Sequence, residues 1–295
     1  MKTTDLYANL EKLIPAELCC PWDNDGLSVL PRPDHESRRV LVSLDVREEV
    51  INYAKENGFD TLVTHHPLIF SGLKELAGGT VVSGKAAELI RADLAAMSFH
   101  TRFDALDGGV TDVLCETLGL VPAGKFGEGG VGRICETEET TLSDFASKAK
   151  ALFGDAHFFC EKGGETVKKI AVCGGSAGDL VPAALAAGCD LLFCGEMRYH
   201  SAIDAADAGL SVVCVGHYES EAPALMRLSE LVREALGAAC DILICREVRY
   251  LSKSDAADAG LSAACADLCG SVAPAPVRET GAEEIVIYGV KQYAV

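Results

Sequence analysis

The chain has 295 residues, 49% of them hydrophobic, and a formal net charge of −18 at pH 7. This length allows two compact units with ordinary apolar cores, so stability does not require disulfides. The acidic balance argues against a broad nucleic-acid surface, because such surfaces neutralise phosphates with Lys and Arg.

The N-terminal residues 1–15, MKTTDLYANLEKLIP, predict a short amphipathic helix and lack the pattern of a secretory signal. The thirteen cysteines contain no C-x-x-C pair. We therefore expect a cytoplasmic, reducing setting in which most cysteines act as small core residues. No apolar run approaches the roughly 18 residues that a membrane span needs, so no membrane partner is expected.

Residues 21–27, PWDNDGL, follow this helix and carry Asp and Asn oxygens of the kind that bind calcium. The remaining positions of an EF-hand loop are missing. Calcium is therefore the weaker interpretation of this turn.

The next segment predicts a helix and a buried strand. The helix EEVINYAKENG ends in Gly58, which suits a left-handed C-cap, and it leads into FDTLVTHHPLIF. The apolar run after Asp60 is typical of a buried parallel strand. Two adjacent histidines, His65 and His66, stand at its end, directly before Pro67.

The histidine pair is the sharpest local signal in the chain. Neighbouring side chains on an extended strand point to opposite faces, so the pair serves one mononuclear site poorly but can serve two metals. Pro67 keeps His66 out of helical geometry, which allows both rings to turn toward one cleft. Isolated histidines such as His35 and His157 are instead expected to be hydrogen-bonded core or surface residues.

A second helix and strand complete the first half. The segment GKAAELIRADLAAM predicts a helix, and SFHTRFD follows as the end of a strand. This strand brings His100 and Asp104 to the edge that carries the histidine pair, because ligands in parallel α/β sheets gather at the carboxyl ends of the strands.

Two glycine-rich segments lie beyond the first half. Residues 124–133, GKFGEGGVGR, suit a linker or a tight turn leading into a strand, and no G-K-[ST] follows to make a phosphate loop. Residues 173–180, CGGSAGDL, join a strand to a helix start, where free N–H groups could hold an anion. A plain strand-to-helix turn is the favoured interpretation of this second segment.

The second half repeats the order of the first. The helix GDLVPAALAAG ends in Gly188 and leads into CDLLFCGEMRYH, and SAIDAADAGL then precedes VVCVGHYESE. His217 and Glu221 therefore stand where His100 and Asp104 stand in the first half.

Alternating strands and helices of this length predict an α/β fold with right-handed crossovers. We expect two similar three-layer α/β/α halves related by internal duplication, with a metal site in the cleft between them. The first domain is expected to take residues 1–123 plus 222–295, and the second residues 124–221.

The residues from about Arg246 form a C-terminal extension. The sequence DAADAGLS occurs at 204–211 and again at 255–262, and it predicts a helix in both places. Residues 283–289, EEIVIYG, predict a terminal strand. No functional residue is expected in this extension.

The side chains gathered at the sheet edge predict a transition-metal centre. The histidine pair, Asp104 and the His217/Glu221 pair together offer three imidazoles and two carboxylates. These donors suit zinc, iron, manganese, cobalt or nickel better than calcium, and a carboxylate can bridge two ions. Two such ions about 3.5–4 Å apart polarise a water between them, which favours metal-assisted hydrolysis. Bound cations would also provide the local positive centre that an acidic protein needs to bind an anionic molecule.

Five segments occur in a fixed order along the chain: WDNDGL, THHPLIF, HTRFDALDGGVTD, GEMRYH and GHYESE. From about Trp22 to Glu221, this combination resembles the dinuclear-metal-centre proteins related to the Ngg-one-interacting factor, often named GTP cyclohydrolase 1 type 2. The resemblance implies a two-domain protomer in a toroidal homohexamer, with two divalent metal ions per chain facing the internal cavity. Longer members carry an inserted domain between the halves, for which this chain has no room.

The resemblance also implies the roles of individual residues. It implies that the metal ligands are His65, His66, Asp104, His217 and Glu221, with Glu221 bridging. In that pattern His66 and Asp104 share one ion, while His65 and His217 share the other.

Three further polar residues, His100, Glu196 and His200, are candidates for catalysis, as proton-transfer groups or as partners of the ligands. The duplication alone favours His100 as a ligand, whereas the resemblance leaves it outside the ligand set.

Two functions of different kinds suit this site. The first is a metal-dependent hydrolase acting on a nucleotide or related phosphorylated small molecule. The resemblance implies GTP ring opening with formate release, whereas a phosphoesterase would use the same metals. The second is a non-catalytic metal-binding hexameric scaffold or regulatory protein. Five ligands over two ions leave coordination positions free, which favours an enzyme.

Overall fold

The computed structural model describes residues 1–76, 79–154, 157–159, 166–237, 242–245 and 284–288. The α-helices in these ranges are α1 (Thr3–Leu13), α2 (Glu48–Asn57), α3 (Val81–Arg91), α4 (Thr101–Ala105), α5 (Val110–Thr117), α6 (Leu142–Phe153), α7 (Val181–Ala186), α8 (Tyr199–Asp207), α9 (His217–Glu221) and α10 (Leu225–Leu236). The strands are β1 (Gly26–Val29), β2 (Arg39–Ser43), β3 (Thr61–Thr64), β4 (Ala95–Ser98), β5 (Pro122–Phe126), β6 (Gly132–Thr141), β7 (His157–Phe159), β8 (Thr166–Ser176), β9 (Leu191–Glu196), β10 (Ser211–Cys214), β11 (Ile242–Cys245) and β12 (Glu284–Tyr288).

The first sheet combines strands from the two ends of the chain, in the order β1-β4-β3-β2-β12-β11. All its strands run parallel to their neighbours except β1, which pairs antiparallel with β4 at one edge. The predicted terminal strand is confirmed as β12. It lies beside β2 in the interior of the sheet, with β11 outside it.

The second sheet has the order β5-β6-β8-β9-β10-β7. The three central strands β8, β9 and β10 are parallel, and the strands that flank them pair antiparallel with their neighbours. The predicted α/β fold with two halves is thereby confirmed, whereas the domain boundaries given above stay a prediction.

Both sheets are covered on both faces. Val40 and Leu41 follow each other in β2 and enter two different apolar cores, because successive side chains of a strand alternate in direction. Ile170 and Ala171 of β8 divide between two cores in the same way. Among the described helices, none combines the length and apolarity that crossing a bilayer requires.

The internal duplication extends to hydrogen bonds at the start of equivalent strands. Before β3, Asp60 Oδ2 accepts two successive backbone N–H groups at the start of β2, both at 2.9 Å. Before β9, Asp190 Oδ2 accepts two successive N–H groups of β8, at 3.0 and 2.9 Å. The helices before both strands end next to glycines with positive φ, 71° at Gly58 and 69° at Gly188, as predicted.

Several other local predictions can be compared with the structure. Residues 124–133 form a tight turn, in which one turn of 3₁₀ helix joins the antiparallel strands β5 and β6. The first copy of DAADAGLS forms the end of α8 and the start of β10, while the second copy lies outside the described residues.

His35 is buried and hydrogen-bonded, as predicted, with Thr3 Oγ1 at 2.7 Å. The side chain of His157 also lies outside what the structure describes. The cysteines whose side chains the structure describes are free, and all of these but Cys19 are buried.

Candidate metal centre

The predicted site residues follow the carboxyl ends of parallel strands from both sheets. His65 and His66 come directly after β3, and His100 follows β4. His217 follows β10 of the second sheet and opens α9. The two predicted carboxylates lie within the short helices α4 and α9. This arrangement brings side chains from both halves of the chain to one place.

Glu221 lies at the middle of the cluster, with only 3% of its surface exposed. Its Oε1 atom is 3.7 Å from His65 Nε2. Its Oε2 atom is 3.0 Å from His66 Nε2 and 3.2 Å from His217 Nε2. One carboxylate therefore faces three imidazole nitrogens.

The five ligands that the resemblance implies form two groups that share Glu221, and His100 forms a further candidate group with His65 and His66. His65, Asp104 and Glu221 make up one group, and His66, His217 and Glu221 the other. Within each group the ligand atoms lie within 4.8 Å of one another. This grouping differs from the pairing that the resemblance implied, since His65 lies with Asp104 and His66 lies with His217.

Contacts on the far side of the two rings fix their orientation. His65 Nδ1 donates to the carbonyl oxygen of Phe99 at 2.9 Å, which leaves Nε2 facing the interior of the site. His66 Nδ1 lies 2.9 Å from Asp45 Oδ1, with the same effect on its Nε2. Metal-binding histidines commonly hold their second nitrogen in this way, because the contact fixes ring orientation and tautomer.

The predicted catalytic candidates Glu196 and His200 lie at the outer side of the cluster. Glu196 Oε1 is 3.1 Å from His217 Nδ1, so it contacts that ring on the side away from Nε2. His200 lies on α8, exposed to solvent, and belongs to none of the candidate ligand groups found in the described part of the chain.

Buried polar atoms without a hydrogen-bond partner test whether a cation fits. His65 Nε2, Asp104 Oδ1 and Glu221 Oε2 are all fully buried and accept or donate no hydrogen bond of acceptable geometry. Buried polar groups are ordinarily satisfied, because leaving them unpaired costs about 1–3 kcal/mol each. Since all three atoms face the same interior, a divalent cation fits the cluster.

Electrostatics among these groups favour charged imidazoles and an ionised Glu221. Burial lowers the pKa of His66, but its contacts with Asp45 and Glu221 outweigh burial and raise that pKa to about 10. The close approach of the Glu221 carboxylate raises the pKa of His217 to about 9 against the opposing effect of burial. Burial would raise the pKa of Glu221, but the facing histidines hold it well below its usual value. A cation that binds here must therefore displace protons from the imidazoles.

His100 lies beside the ligand groups and is held by Asp23. Its Nδ1 atom is 2.9 Å from Asp23 Oδ1, and its ring centroid is 5.3 Å from that of His65. Asp23 also accepts the Thr101 hydroxyl at 2.7 Å. Burial opposes ionisation of Asp23, but the contacts with His100 and Thr101 hold its pKa well below the usual range.

The neighbouring Asp25 holds the same loop from the other side. Arg102, which is 2% exposed, donates to both Asp25 oxygens at 2.8 Å. Asp25 Oδ2 also accepts the backbone N–H of His100 at 3.1 Å. The acidic turn at 21–27 therefore positions His100, a role that its sequence did not indicate.

The second glycine-rich segment lies directly against the ligands. A Cβ atom on Gly175 would lie 2.3 Å from Glu221 Oε1 and 3.1 Å from His217 Nε2. A Cβ atom on Gly174 would lie 3.3 Å from Glu221 Cγ. The backbone at Gly174 and Gly175 thus leaves room for two of the candidate metal ligands, a role that was not predicted for this segment.

A cavity of about 580 Å³ opens beside the cluster. Its lining includes His66, His100 and His217 together with Phe70. This volume lies within the range of small-molecule binding sites. The cluster can therefore be reached by a ligand of nucleotide size.

Comparison with known proteins gives consistent relatives. The profile of the Duf34/NIF3 (NGG1p interacting factor 3) family matches residues 1–250. A Clostridium perfringens protein named GTP cyclohydrolase 1 type 2 homolog is 33% identical over 257 residues, which cover 84% of this chain and 98% of the relative. A Lactococcus lactis protein of the same name is 35% identical over 227 residues, which cover 74% of this chain and 86% of the relative.

Among solved structures, the chain is similar to the Staphylococcus aureus protein SA1388. The two share 26% sequence identity with a TM-score of 0.69. The superposition covers 80% of this chain and 91% of SA1388. Sequence and fold therefore point to the same group of proteins.

Proposed function

The chain belongs to the Duf34/NIF3 family, and from that membership we propose that it is a hydrolase dependent on two divalent metal ions. Its substrate in this proposal is a nucleotide or a related phosphorylated small molecule. The observation that carries the proposal is the position of Glu221, buried among three imidazole nitrogens with its Oε2 making no hydrogen bond of acceptable geometry.

In this proposal the ions are held by two sets of residues that share Glu221. His65, Asp104 and Glu221 hold one ion, and His66, His217 and Glu221 hold the other. Imidazole and carboxylate donors of this kind suit zinc, iron, manganese, cobalt or nickel. Three protein ligands per ion leave coordination positions for water and substrate, which is typical of catalytic rather than structural sites.

The bound ions would supply Lewis acidity at the reacting bond. His100 is the residue best placed to move a proton, because Asp23 holds its Nδ1 atom and leaves Nε2 available beside the ligand groups. Glu196 orients the ring of His217 through Nδ1. His200 lies too far out on the exposed surface of α8 to be given a direct role.

The narrower form of the proposal is a GTP cyclohydrolase that opens the purine ring and releases formate. The names of the curated relatives support this substrate. A phosphoesterase would need the same ligands but would release phosphate instead. The two reactions therefore differ in their products and not in the residues that hold the ions.

The experiment is elemental analysis of the protein purified without added metal, joined to a GTP assay that follows formate and phosphate separately. We expect about two transition-metal ions per chain and formate. Phosphate alone would replace the cyclohydrolase by a phosphatase. Two ions with neither product would favour a non-catalytic scaffold, and no metal after reconstitution would contradict the proposal.

A matched pair of variants tests the ligand assignment. His66→Ala is expected to lower bound metal by about tenfold or more while the protein stays folded. His200→Ala removes an exposed imidazole of the same chemistry and should retain the full metal content. Full retention of metal by His66→Ala would remove that residue from the ligand set.

A further inference from the structure

Two large, exposed aromatic side chains lie beside His100, which lines the cavity. Phe70 lines the cavity and is 50% exposed, and Trp22 is 55% exposed. Their ring centroids lie 6.1 Å apart. Each ring also meets His100 edge to face, Phe70 at 6.3 Å and Trp22 at 6.4 Å between centroids. The cavity therefore has an aromatic wall on the side of His100.

Hydrogen bonds hold this wall in place. The indole N–H of Trp22 donates to Glu128 Oε2 at 3.3 Å. The side-chain amide of Asn24 donates to the carbonyl oxygen of Ile69, which ties the loop of Trp22 to the residue before Phe70. The two rings are thus anchored by their loops while half of their surface stays open. Large exposed apolar surface beside a cavity is typical of a binding site.

We propose that Phe70 and Trp22 form a subsite that binds the planar heteroaromatic ring of the substrate, a ring system of purine size. This inference rests on the proposed function and deepens it, because it separates substrates that carry a base from phosphoesters that lack one. The base stacks on the open face of Phe70, with Trp22 supporting that ring. Stacking on an aromatic side chain is favourable for any planar base. It stabilises an aromatic ring more than an aliphatic group.

The position of His100 favours an aromatic ligand over an aliphatic one at this subsite. His100 contacts both aromatic rings and also lies within 4.8 Å, ligand atom to ligand atom, of His65 and His66. A base stacked on Phe70 is therefore placed beside the candidate proton-transfer residue and the candidate metal ligands at once. A cavity of about 580 Å³ has space for a nucleoside in this position.

The chain offers a direct reporter, because Trp22 is its single tryptophan. The purified full-length protein is titrated with guanosine, with GTP and with tripolyphosphate, and the emission of Trp22 is followed. Free N-acetyltryptophanamide corrects for absorption by the nucleobase. We expect guanosine and GTP to quench or shift the emission, whereas tripolyphosphate, which has no ring, leaves it unchanged.

Variants separate stacking from general apolar contact. Phe70→Leu keeps an apolar side chain but removes the ring, and it should weaken binding of guanosine by about tenfold. Tyr199→Leu removes another exposed aromatic ring, 74% exposed, that does not line the cavity, and it should bind guanosine as the parent does. Equal affinities of the parent and Phe70→Leu for both guanosine and GTP would overturn the subsite.

The outcomes distinguish failure of the subsite from failure of the proposed function. Guanosine carries no phosphate, so its binding is measured without turnover. Ring-dependent quenching without any hydrolysis leaves the subsite standing and contradicts the hydrolase. GTP turnover whose KM does not change in Phe70→Leu contradicts the subsite and leaves the hydrolase standing. Emission that changes with protein concentration and not with nucleoside would show that a second copy of the chain covers the aromatic wall, which also overturns the subsite.

Discussion

At the scale of single residues, Gly175 shows how closely the backbone approaches the candidate metal ligands. Its φ is 61°, and a Cβ atom there would lie 2.3 Å from Glu221 Oε1. We expect Gly175→Ala to displace the Glu221 carboxylate, because the atom nearest to the added methyl group is the end of that side chain. Metal affinity should fall by about tenfold or more, measured by competition with a chelator of known affinity.

Gly188 is the matched control for this substitution. Its φ is 69°, and no atom lies within 4 Å of the position that a Cβ would take. Gly188→Ala therefore introduces a similar backbone strain, about 1–2 kcal/mol, without touching the site. Both variants should lose thermal stability, but only Gly175→Ala should lose metal. Equal metal affinity in the two variants would show that a side chain at position 175 does not displace Glu221.

The pH dependence of stability is a second residue-scale prediction. The pKa of His66 is raised to about 10 and that of His217 to about 9, from a reference of 6.5. Protonation of both rings therefore stabilises the metal-free protein below pH 6.5, and this stabilisation is lost as the pH rises through 9 and 10. Metal affinity changes in the opposite direction, because the cation competes with those protons.

Thermal melts of chelator-treated and metal-loaded protein between pH 6.5 and 10 measure this effect. The melting temperature of the metal-free protein should fall across the range more steeply than that of the loaded protein. Replacement of one ring, as in His66→Gln, should flatten the metal-free profile. Parallel profiles for the two forms would contradict the assigned proton positions.

The sequence indicated the candidate ligands more fully than it indicated the residues that orient them. His65, His66 and Glu221 were visible because strand ends, an adjacent pair and a duplicated spacing marked them. Asp45 and Asp23 carried no such mark, since each reaches its histidine from a loop far away in sequence. Contacts of this kind depend on the tertiary fold, and periodicity within a segment does not encode them.

At the scale of elements, the helices and strands of both halves follow from local patterns, but the order of strands does not. The run 283–289 predicted a strand, and the structure places β12 inside the first sheet between β2 and β11. A strand's apolar run shows that it is buried. Which neighbour it pairs with depends on a chain closure of more than two hundred residues, from Arg39 to Glu284.

Truncation tests the contribution of these late strands. A chain that ends at Gly237 lacks β11 and β12, so the backbone edge of β2 loses the partner it has in the full chain. An unpaired edge on a parallel, apolar strand favours aggregation and lowers stability. We expect a lower melting temperature and concentration-dependent aggregation, measured by light scattering during a thermal ramp. A truncated chain with unchanged melting and no aggregation would show that β2 does not need this partner.

At the scale of the whole molecule, the metal centre and the net charge act in opposite directions. The formal charge of −18 includes the two carboxylates gathered at the candidate metal centre, Asp104 and Glu221. Divalent cations would offset part of this charge locally. Between copies of the chain, however, the remaining charge is repulsive and is weakened only by salt.

This balance makes a specific prediction for assembly. The resemblance implies a toroidal homohexamer, so light scattering coupled to size exclusion should give a mass about six times the 31.0 kDa of one chain. Because each copy carries the same negative charge, the hexamer should dissociate more readily on dilution at low ionic strength than at about 0.15 M salt, where the screening length is about 8 Å. A protein that stays at 31.0 kDa in both conditions would contradict the ring. A hexamer that dissociates more readily with added salt would show that ion pairs between copies, and not apolar contacts, hold it together.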